Sequence, residues 1–393
     1  AEINHTFING TKINWSHPEA HGATGQLLLS DLQQAIDTYT SLLGSSIHAK
    51  KLADIITQAY TQHQTLADAT RYLVTSLFGE YGLVIIDASD AELKKEFVTI
   101  ALQDLTEQNS FRLISEANKH LNQIDIEAQV HPRELNFFYL LPNFRERLIF
   151  KNDRYWVLNS DISFTQQQLQ TEIQNHPERF SPNVVMRPLY QELLLPNIAY
   201  VGGGAEISYW LQLKSTFEHY KIDFPILVLR NSALLVSEEV QNQLKHLDLP
   251  VEELFDDIDA IQKRWLTKHS THNLSLNTEW LQLVSILENI QHRATKINPT
   301  LGPSTAAVQA RLHKMIQKLE KKLLRAEKRN RNEVLSKIQS IKDELFPGSI
   351  LQERVDNFGS FYAKDGPNFI RSLIETFDPL KNKFTILSEQ SPT

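Results

Sequence analysis

The sequence predicts an α/β protein with a parallel-sheet core, a β-rich connecting insertion within that core, and a C-terminal antiparallel α-helical coiled coil. A strand–helix–strand pattern with a glycine turn occupies residues 181–236. Short aromatic and aliphatic runs separated by polar turns fill residues 124–180. Apolar residues spaced by three and four occur between residues 304 and 345, as a coiled-coil seam requires. These three observations define the predicted fold class.

Composition excludes several classes of protein. The 393 residues, of which 41% are apolar, are enough for two or three domains with a buried core. No run approaches the roughly 20 apolar residues that cross a bilayer, and the start lacks a signal-peptide pattern. The chain has no cysteine, which excludes disulfides and thiolate zinc sites. We therefore predict a cytoplasmic protein without a membrane segment.

The first predicted part of the core covers residues 1–123 and includes a helical segment. A hairpin is predicted from strands at residues 5–8 and 11–15, because Asn9-Gly10 suits a tight turn with positive φ. Apolar residues at helical spacing in residues 27–44 and 48–79 predict two or three helices.

Residues 82–87 read Gly-Leu-Val-Ile-Ile-Asp, a short apolar run that ends in a carboxylate. Ser89-Asp90 resembles a helix cap, and helical spacing continues to Leu105. This pattern predicts a buried parallel strand that leads into a helix. Asp87 would then lie at the carboxyl end of the strand, where open α/β sheets bind ligands. A purely structural cap is the alternative role for Asp87.

The predicted connecting insertion covers residues 124–180. Strands are predicted at residues 137–141, 147–150 and 155–158, with a turn at residues 151–153 and a short helix at 165–173. The second half of the core, residues 181–250, is predicted to contain strands at 183–186, 197–201 and 225–229 and a helix at 205–217. This order indicates a βαβ crossover with the glycine turn at its ligand-binding edge.

The predicted coiled-coil domain covers residues 251–347, and residues 348–393 form a tail that packs on the core or the coiled coil. One long helix is predicted over residues 304–345, and a helix over 277–292 could return antiparallel against it. Asn330 falls near the seam, where a polar residue could fix the register.

The glycine turn is the first candidate binding feature. Gly202, Gly203 and Gly204 can bring backbone N–H groups close to an anion at a helix N-terminus, although tight packing explains such a turn equally well. Glu206 would repel a phosphate and could instead hold an amine or a hydroxyl. Arg187 has a planar fork of donors that suits a carboxylate or a phosphate, with a surface ion pair as the alternative.

Two further features are weaker. Arg230, Asn231 and Ser232 follow the last predicted strand of the sheet, so their position makes them candidates. His17 and His21 have the spacing of a helical metal pair, but Pro18 and the missing HExxH order argue against zinc. We predict no metal site.

Residues 311–331 carry nine Lys or Arg against two Glu, which gives the long helix a basic face. A solvated coiled-coil face is the usual explanation, and no interleaved aromatic residues are present to stack bases. With a net charge of −7, binding of nucleic acid is disfavoured.

Several segments together resemble the bacillithiol-biosynthesis family of cysteine-adding enzymes. Their order along the chain and the helical arm between them make the resemblance specific. The segments are Gly82-Leu83-Val84-Ile85-Ile86-Asp87, Ser181-Pro182-Asn183-Val184-Val185, Arg187-Pro188-Leu189, Leu195-Pro196, Tyr200-Val201-Gly202-Gly203, Glu206-Ile207-Ser208-Tyr209-Trp210, Arg325-Ala326-Glu327-Lys328-Arg329, and Leu351-Gln352-Glu353-Arg354 with Asn357.

The resemblance implies a Rossmann-like core, a coiled coil that helps to form a homodimer, and a ligase. The ligase would join cysteine to glucosaminyl-malate in the last step of bacillithiol biosynthesis. The resemblance also implies a pocket for ATP or ADP near the coiled coil. The candidates for the surroundings of that pocket are Arg230, Asn231, Ser232, Gln352, Arg354 and Asn357.

The expected substrate-binding residues lie in the core, and none of them is identified as catalytic. They are Asp87, Asn183, Arg187, Gly202, Gly203, Gly204 and Glu206. One departure matters, because family members begin with a further nucleotide-fold half that we do not find before Ala1. A non-catalytic nucleotide-binding or dimerisation module is therefore the alternative, and a basic coiled-coil nucleic-acid binder is a third hypothesis.

Overall fold

The computed structural model describes residues 4–16 and 21–388. Contacts divide the chain into two units. Unit 1 contains the residues up to 232 together with 356–385, and unit 2 contains 233–355 and the residues from 386. The finer five-part division stays a prediction, and His17 lies outside the described residues.

The helices are, in chain order, α1 Gln33–Leu43, α2 Ile47–Thr61, α3 Leu66–Phe78, α4 Ala91–Glu107, α5 Asn109–Gln123, α6 Gln166–Asn175, α7 Arg187–Leu194, α8 Gly204–Trp210, α9 Lys214–Tyr220, α10 Glu238–His246, α11 Ile258–His269, α12 Asn277–Ile297, α13 Leu301–Asn330, α14 Asn332–Leu345, α15 Gly359–Asp365 and α16 Pro367–Thr376. The strands are β1 His5–Ile8, β2 Thr11–Asn14, β3 Phe137–Leu141, β4 Phe144–Lys151, β5 Arg154–Val157, β6 Ser163–Phe164, β7 Phe180–Pro182, β8 Ala199–Gly202, β9 Ile226–Leu229, β10 Ser232–Val236 and β11 Phe384–Ser388.

The predicted N-terminal hairpin is confirmed. Strands β1 and β2 pair antiparallel with Ile8 opposite Thr11, and Asn9 and Gly10 have φ values of 48° and 73°. The helices α1, α2 and α3 that follow occupy the region where helical spacing was found. The side chains of Ser46 and Thr65 cap α2 and α3 by accepting backbone N–H groups.

The connecting insertion forms an antiparallel sheet, which confirms the three predicted strands. Its strand order is β6-β5-β4-β3-β7. Asn152 and Asp153 both have positive φ in the turn between β4 and β5, which explains why this polar pair ends the strand. Thr165 and Gln168 form a capping box at the start of the predicted short helix, α6.

Strands β8 and β9 pair in parallel, with Ala199 opposite Ile226 and Gly202 opposite Leu229. This confirms the predicted βαβ pairing. The connection consists of two helices, α8 and α9, rather than one, because residues 211–213 form a turn. The carboxyl ends of β8 and β9 therefore meet at one edge, directly before α8.

Two predicted strands are wrong. Residues 83–87 have no regular secondary structure, and no described strand pairs with them. Residues 183–186 form a turn because the Asn183 side chain accepts the backbone N–H groups of Val185 and Met186. The short run Val184-Val185-Met186 is compatible with a strand or a buried turn, and here hydrogen bonds to the Asn183 side chain favour the turn.

The core of unit 1 lies between the antiparallel sheet and the helices that surround it. Phe137, Leu148 and Val157 from the sheet contribute to one buried cluster with Leu189 and Trp210 from the helices. The insertion consequently shares its core with the helices that precede and follow it, and the same core supports the edge of the parallel pair.

Strands β10 and β11 pair with each other. Unit 2 contains a helical hairpin, which we call the arm, formed by α12 and α13. The Glu320 carboxylate accepts the backbone N–H of Leu276 at 2.8 Å, and the Trp280 and His313 rings are 4.5 Å apart. The two helices therefore run antiparallel, as predicted. The single long helix predicted over residues 304–345 is broken at Arg331.

Asn330 ends α13, and its side chain lies 3.5 Å from Glu327 of the same helix. A role for Asn330 in register stays a prediction. Within residues 4–16 and 21–388, no helix has the length and hydropathy needed to span a membrane.

Candidate functional site

The candidate site lies at the edge where β8 and β9 end. The backbone N–H of Arg230 donates to the carbonyl oxygen of Gly202 at 2.9 Å, which extends the parallel pairing by one residue. A Cβ atom on Gly203 would lie 3.8 Å from the guanidinium carbon of Arg230. The Arg230 side chain is therefore positioned against the glycine turn.

The three glycines have different roles. A Cβ on Gly202 would lie only 2.7 Å from the ring of Tyr200, whereas one on Gly204 would meet nothing within 4 Å. Close packing against Tyr200 therefore requires glycine at position 202. The structure does not impose this steric requirement on Gly204.

Glu206 lies in the first helical turn of α8, and its side chain faces the glycine turn. One of its carboxylate oxygens accepts the Gly203 backbone N–H at 3.0 Å, and the other accepts the Tyr200 hydroxyl at 3.1 Å. The Gly203 N–H is consequently engaged within the protein, and a negative charge lies beside the turn. A phosphate at this position would be repelled, whereas an amine would be attracted.

Arg187 is the first residue of α7 and is held by side chains from two helices. Its guanidinium donates to the Tyr209 hydroxyl and to the Gln191 side-chain oxygen, both at 2.9 Å. Burial alone would lower the pKa of Arg187, but its contacts with Tyr209 and Tyr200 outweigh burial and raise it. Because a guanidinium has five N–H donors, donors remain for a carboxylate in this fixed orientation.

Contacts join Arg187, Tyr200, Glu206 and Tyr209, and Arg230 lies against the adjoining glycine turn. We call this group of five residues the Arg–Glu cluster. The cluster combines two permanent positive charges, one carboxylate and two phenolic hydroxyls. Such a set can bind a ligand that carries both carboxylate and amine groups.

Asp87 is engaged by its neighbour Ser89, whereas Asp90 caps α4. One carboxylate oxygen accepts both the backbone N–H of Ser89 at 2.8 Å and its hydroxyl at 2.6 Å. The Tyr190 hydroxyl of α7 donates to the Ala88 carbonyl at 3.1 Å, which ties this loop to the helix that begins with Arg187. Substrate binding by Asp87 stays a prediction.

Lys94 is a buried charged residue beside this loop. Its ammonium donates to the Phe180 carbonyl at 3.0 Å and lies 4.8 Å from the centre of the Tyr190 ring. Burial lowers the pKa of Lys94 to about 8, and the neighbouring Asp87 carboxylate partly opposes that shift. Lys94 therefore links α4 to the end strand of the antiparallel sheet.

Asn183 has a structural role in the turn before α7. Besides capping Val185 and Met186, its amide group donates to the Asn136 side-chain oxygen at 2.9 Å. Asn136 in turn donates to the buried Ser110 hydroxyl at 2.7 Å. These contacts engage both ends of the Asn183 amide, and its proposed contact with substrate stays a prediction.

Four of the predicted nucleotide-site residues belong to unit 1. Arg230 lies in the Arg–Glu cluster, Asn231 donates to the Asp378 carbonyl at 3.2 Å, and Ser232 begins β10. Asn357 accepts the Tyr39 hydroxyl at 2.7 Å and donates to the Thr6 hydroxyl at 3.1 Å. Asn231 and Asn357 are thus anchored by contacts within their own unit.

The other two predicted nucleotide-site residues, Gln352 and Arg354, belong to unit 2. The Gln352 amide pairs with the backbone N–H and carbonyl of Leu235 at 2.9 and 3.2 Å. The Arg354 guanidinium lies 3.7 Å from Glu353, and 52% of its side chain is exposed. Arg354 is therefore accessible to an anion, whereas the Gln352 amide is paired with the backbone of β10.

The structure brings together Arg187, the glycine turn, Glu206 and Arg230. Sequence reasoning missed Tyr200, Tyr209 and Lys94. Lys94 precedes the apolar residues Phe97, Ala101 and Leu105 at helical spacing, which places a lysine on the buried face of α4. This position on an apolar helix face could have identified Lys94 from the sequence. The tyrosine contacts carried no such signal, because their partners are separated in sequence.

Within the described ranges 4–16 and 21–388, no group of three or more His, Asp or Glu side chains is arranged to hold a metal ion.

Comparison with known proteins connects this site to a family. Residues 1–231 match the family described as "Bacillithiol biosynthesis BshC, N-terminal Rossmann-like domain", and residues 233–389 match "Bacillithiol biosynthesis BshC, C-terminal coiled-coil domain". The two matches meet at the boundary between β9 and β10, and they confirm both the predicted fold class and the family resemblance.

Curated relatives agree with these matches, and each carries the name "Putative cysteine ligase BshC". The protein of Flavobacterium johnsoniae is 40% identical, with 98% of this chain covering 73% of the relative. That of Christiangramia forsetii is 36% identical over 98% of this chain and 72% of the relative, and that of Cytophaga hutchinsonii is 33% identical over 96% and 70%. The chain belongs to the BshC family of bacillithiol biosynthesis.

Proposed function

We propose that the Arg–Glu cluster binds a carboxylate-bearing substrate of a ligase that joins cysteine to glucosaminyl-malate. The observation that carries this proposal is the placement of Arg187 and Arg230 around Tyr200, Glu206 and the glycine turn. Cysteine carries one carboxylate and one amine, and the malate part of the second substrate carries two carboxylates. The charges of the cluster complement both substrates.

The roles within the cluster follow from charge. Arg187 is oriented by Tyr209 and Gln191, so it presents a fixed planar group to a carboxylate. Glu206 holds its negative charge beside Gly203 and would attract an ammonium group. A substrate with both groups would therefore be oriented by two opposite charges rather than by one.

The proposed reaction forms an amide and completes the last step of bacillithiol biosynthesis. The cysteine carboxyl group must be activated before the sugar amine attacks it, and cleavage of ATP would supply that activation in the cytoplasm. Arg354 of unit 2 is the proposed phosphate contact, because its side chain is half exposed and a guanidinium can bind a phosphate with two hydrogen bonds. Both the nucleotide and the identity of the last-step substrate are parts of this proposal.

The activity test combines the chain with cysteine, glucosaminyl-malate and ATP and follows the amide product by mass spectrometry. Changing Arg187 to Ala should lower kcat/KM by about thirtyfold, equivalent to the loss of roughly 2 kcal/mol of charge-assisted hydrogen bonding. Arg112→Ala is the matched control, since Arg112 is exposed on α5. Equal activity of the two variants would contradict the proposed role of Arg187.

Omission experiments test the remaining parts. Product without ATP would contradict nucleotide dependence, and product only with a different amine acceptor would contradict the assigned substrate. If no product forms under any condition, calorimetric titration with ATP and ADP tests the alternative of a non-catalytic nucleotide-binding module. Nucleotide binding that weakens in Arg354→Ala or Asn231→Ala would support that alternative.

We also propose that the arm of unit 2 associates with a second copy of the chain. Ile286 and Ile290 on α12 and Met315 and Leu319 on α13 remain exposed after the two helices have packed together. Exposed apolar residues on a helical hairpin favour burial against another helical surface. A second copy offers the same surface, which suits a twofold-symmetric contact.

Sedimentation velocity tests this association. The chain should sediment as a dimer, and Leu319→Glu should shift the population toward monomer because a buried carboxylate is costly. The neighbouring exposed Lys318 provides the control, since Lys318→Glu changes charge without entering the apolar surface. A monomeric parent chain, or an unchanged dimer in Leu319→Glu, would contradict association through the arm.

A further inference from the structure

Unit 1 contains a cavity of about 640 Å³ away from the Arg–Glu cluster. The cavity lies between the hairpin β1–β2 and helices α1, α2 and α3, and it extends to Asn357 and Phe358. Its volume falls within the range of roughly 300 to 1,000 Å³ that is usual for small-molecule sites. None of its lining residues belongs to the Arg–Glu cluster.

Most of the residues that line the cavity are apolar or aromatic, and a minority, such as Asn4, Asn14 and Asn357, are polar. Leu27, Ile36, Ile56, Leu66 and Leu73 provide aliphatic surface. Aromatic rings are contributed by Trp15, Tyr39, Tyr60 and Phe358. Flat rings pack well against such a surface, because they bury a large apolar area and can stack or meet edge to face.

The lining contains one histidine, His5, and no other basic or acidic side chain among its described residues. None of them is Asp, Glu, Lys or Arg. A phosphate that entered the cavity would lose its hydration without gaining a lysine or arginine partner. This distinguishes the cavity from the Arg–Glu cluster, which contains two guanidinium groups.

Two tyrosine hydroxyls supply directional hydrogen bonding. The Tyr39 hydroxyl donates to Asn357, so its oxygen can still accept a hydrogen bond. Tyr60 lies close enough to interact with Tyr39, and burial raises the pKa of both phenols. No described residue forms a hydrogen bond with the Tyr60 hydroxyl, which remains available to a ligand in the cavity.

We propose that this cavity is a binding site for an uncharged, ring-containing small molecule with a hydroxyl or carbonyl group facing Tyr39 and Tyr60. The aromatic and aliphatic walls hold the ring, and the tyrosines orient its polar group. The cavity shares no residue with the Arg–Glu cluster, and it contains Asn357, which is one of the residues predicted to surround a nucleotide.

A matched pair of probes tests the predicted ligand chemistry. 2-Naphthol is uncharged at pH 7 and carries one hydroxyl, whereas 2-naphthyl phosphate has the same ring with an anionic group. Calorimetric titration of the full chain should give saturable 2-naphthol binding with one site per chain. The phosphate ester should bind at least tenfold more weakly because the lining offers it no lysine or arginine.

Two variants locate the binding. Ala35 lines the cavity from α1, so Ala35→Phe should narrow the cavity and weaken 2-naphthol binding at least tenfold. Tyr60→Phe keeps the ring and removes only the hydroxyl, with an expected loss of about fivefold. Tyr72→Phe is the control, because the Tyr72 hydroxyl binds Gln58 outside the cavity.

Two further observations separate a loss of binding from a loss of folding. Circular dichroism establishes whether Ala35→Phe keeps the parent fold, and Tyr60→Phe provides a conservative second test. No saturable 2-naphthol binding, equal binding by the phosphate ester, or equal losses in Tyr60→Phe and Tyr72→Phe would each overturn the proposal. Since no probe is a ligase substrate, failure here would leave the proposed activity unaffected.

Discussion

The two sheets of unit 1 use apolar residues in opposite ways. In the antiparallel sheet, Leu148 and Val157 are each 1% exposed and belong to the shared core. In the parallel pair, Val201 is 56% exposed and Ile226 is 66% exposed. Both regions have strand-forming sequences, but only the antiparallel sheet has a fully covered inner face.

The two sheets therefore differ in packing. The antiparallel sheet is held by local turns and by a continuous core. The parallel pair carries the glycine turn and Arg230 at its edge, but it has less packing around it. Parallel strands are usually covered on both faces, so the exposed residues of β8 and β9 form a surface suited to further packing.

The largest expected effect comes from a matched pair of leucine substitutions, one in each sheet. Leu148→Ala should lower the free energy of unfolding by about 3 kcal/mol, because it removes a fully buried side chain and leaves a cavity. Leu229→Ala should lower it by about 1 kcal/mol or less, since Leu229 is 44% exposed. Urea denaturation measures both values.

Similar losses for the two leucine variants would contradict the proposed contrast and indicate that Leu229 is covered in solution. Repeating the denaturation at several protein concentrations shows whether Leu229 is covered by a second chain or within a single chain. A loss for Leu229→Ala that grows with concentration would point to a second chain, because association adds stability by mass action.

The contrast also explains how much of the fold the sequence predicted. Strands β3, β4 and β5 were predictable because polar turns separate them, and Asn152-Asp153 has the residue types that tolerate positive φ. The strand predicted over residues 82–87 is wrong because an apolar run does not show whether a partner strand lies beside it. Strand pairing depends on tertiary contacts, which the hydrophobic periodicity of a sequence does not reveal.

The second prediction concerns Lys94, which joins α4 to β7 of the antiparallel sheet. Burial lowers its folded-state pKa to about 8, below the ordinary value of a lysine. Between those two pKa values the unfolded chain binds the proton more strongly, so stability should rise as the pH rises. The expected gain from pH 7.5 to 9.5 is about 2 kcal/mol relative to Lys94→Met.

The exposed neighbour Lys95 provides the control for this pH dependence. Lys95 pairs with Glu92 at the surface, so Lys95→Met should follow the pH dependence of the parent chain. Denaturant titrations across this pH window compare the three proteins. A constant difference between the parent chain and Lys94→Met would show that the Lys94 pKa is not lowered by burial.

The candidate site was predictable only in part. Arg187 and the glycine turn were identified because charged or glycine residues at the ends of apolar runs suggest a sheet edge. The contacts of Arg187 with Tyr209 and of Glu206 with Tyr200 required the folded geometry. Asn183 shows that a position can also mislead. Its place in the sequence suggested a ligand contact, but its amide accepts backbone N–H groups within the local turn.

The smallest expected effect tests whether the glycine turn serves packing or binding. Gly202→Ala would place its Cβ 2.7 Å from the Tyr200 ring, so it should destabilise the chain by about 1 to 2 kcal/mol. Gly204→Ala meets no atom within 4 Å and begins α8, so stability should be unchanged or rise by about 0.5 kcal/mol. Thermal unfolding measures the two changes.

Equal destabilisation would mean that the backbone conformation constrains both positions, whereas a loss confined to Gly202→Ala would assign that glycine to packing against Tyr200. Ligand titrations with Gly204→Ala would then examine the open side of the turn without the Gly202 packing defect.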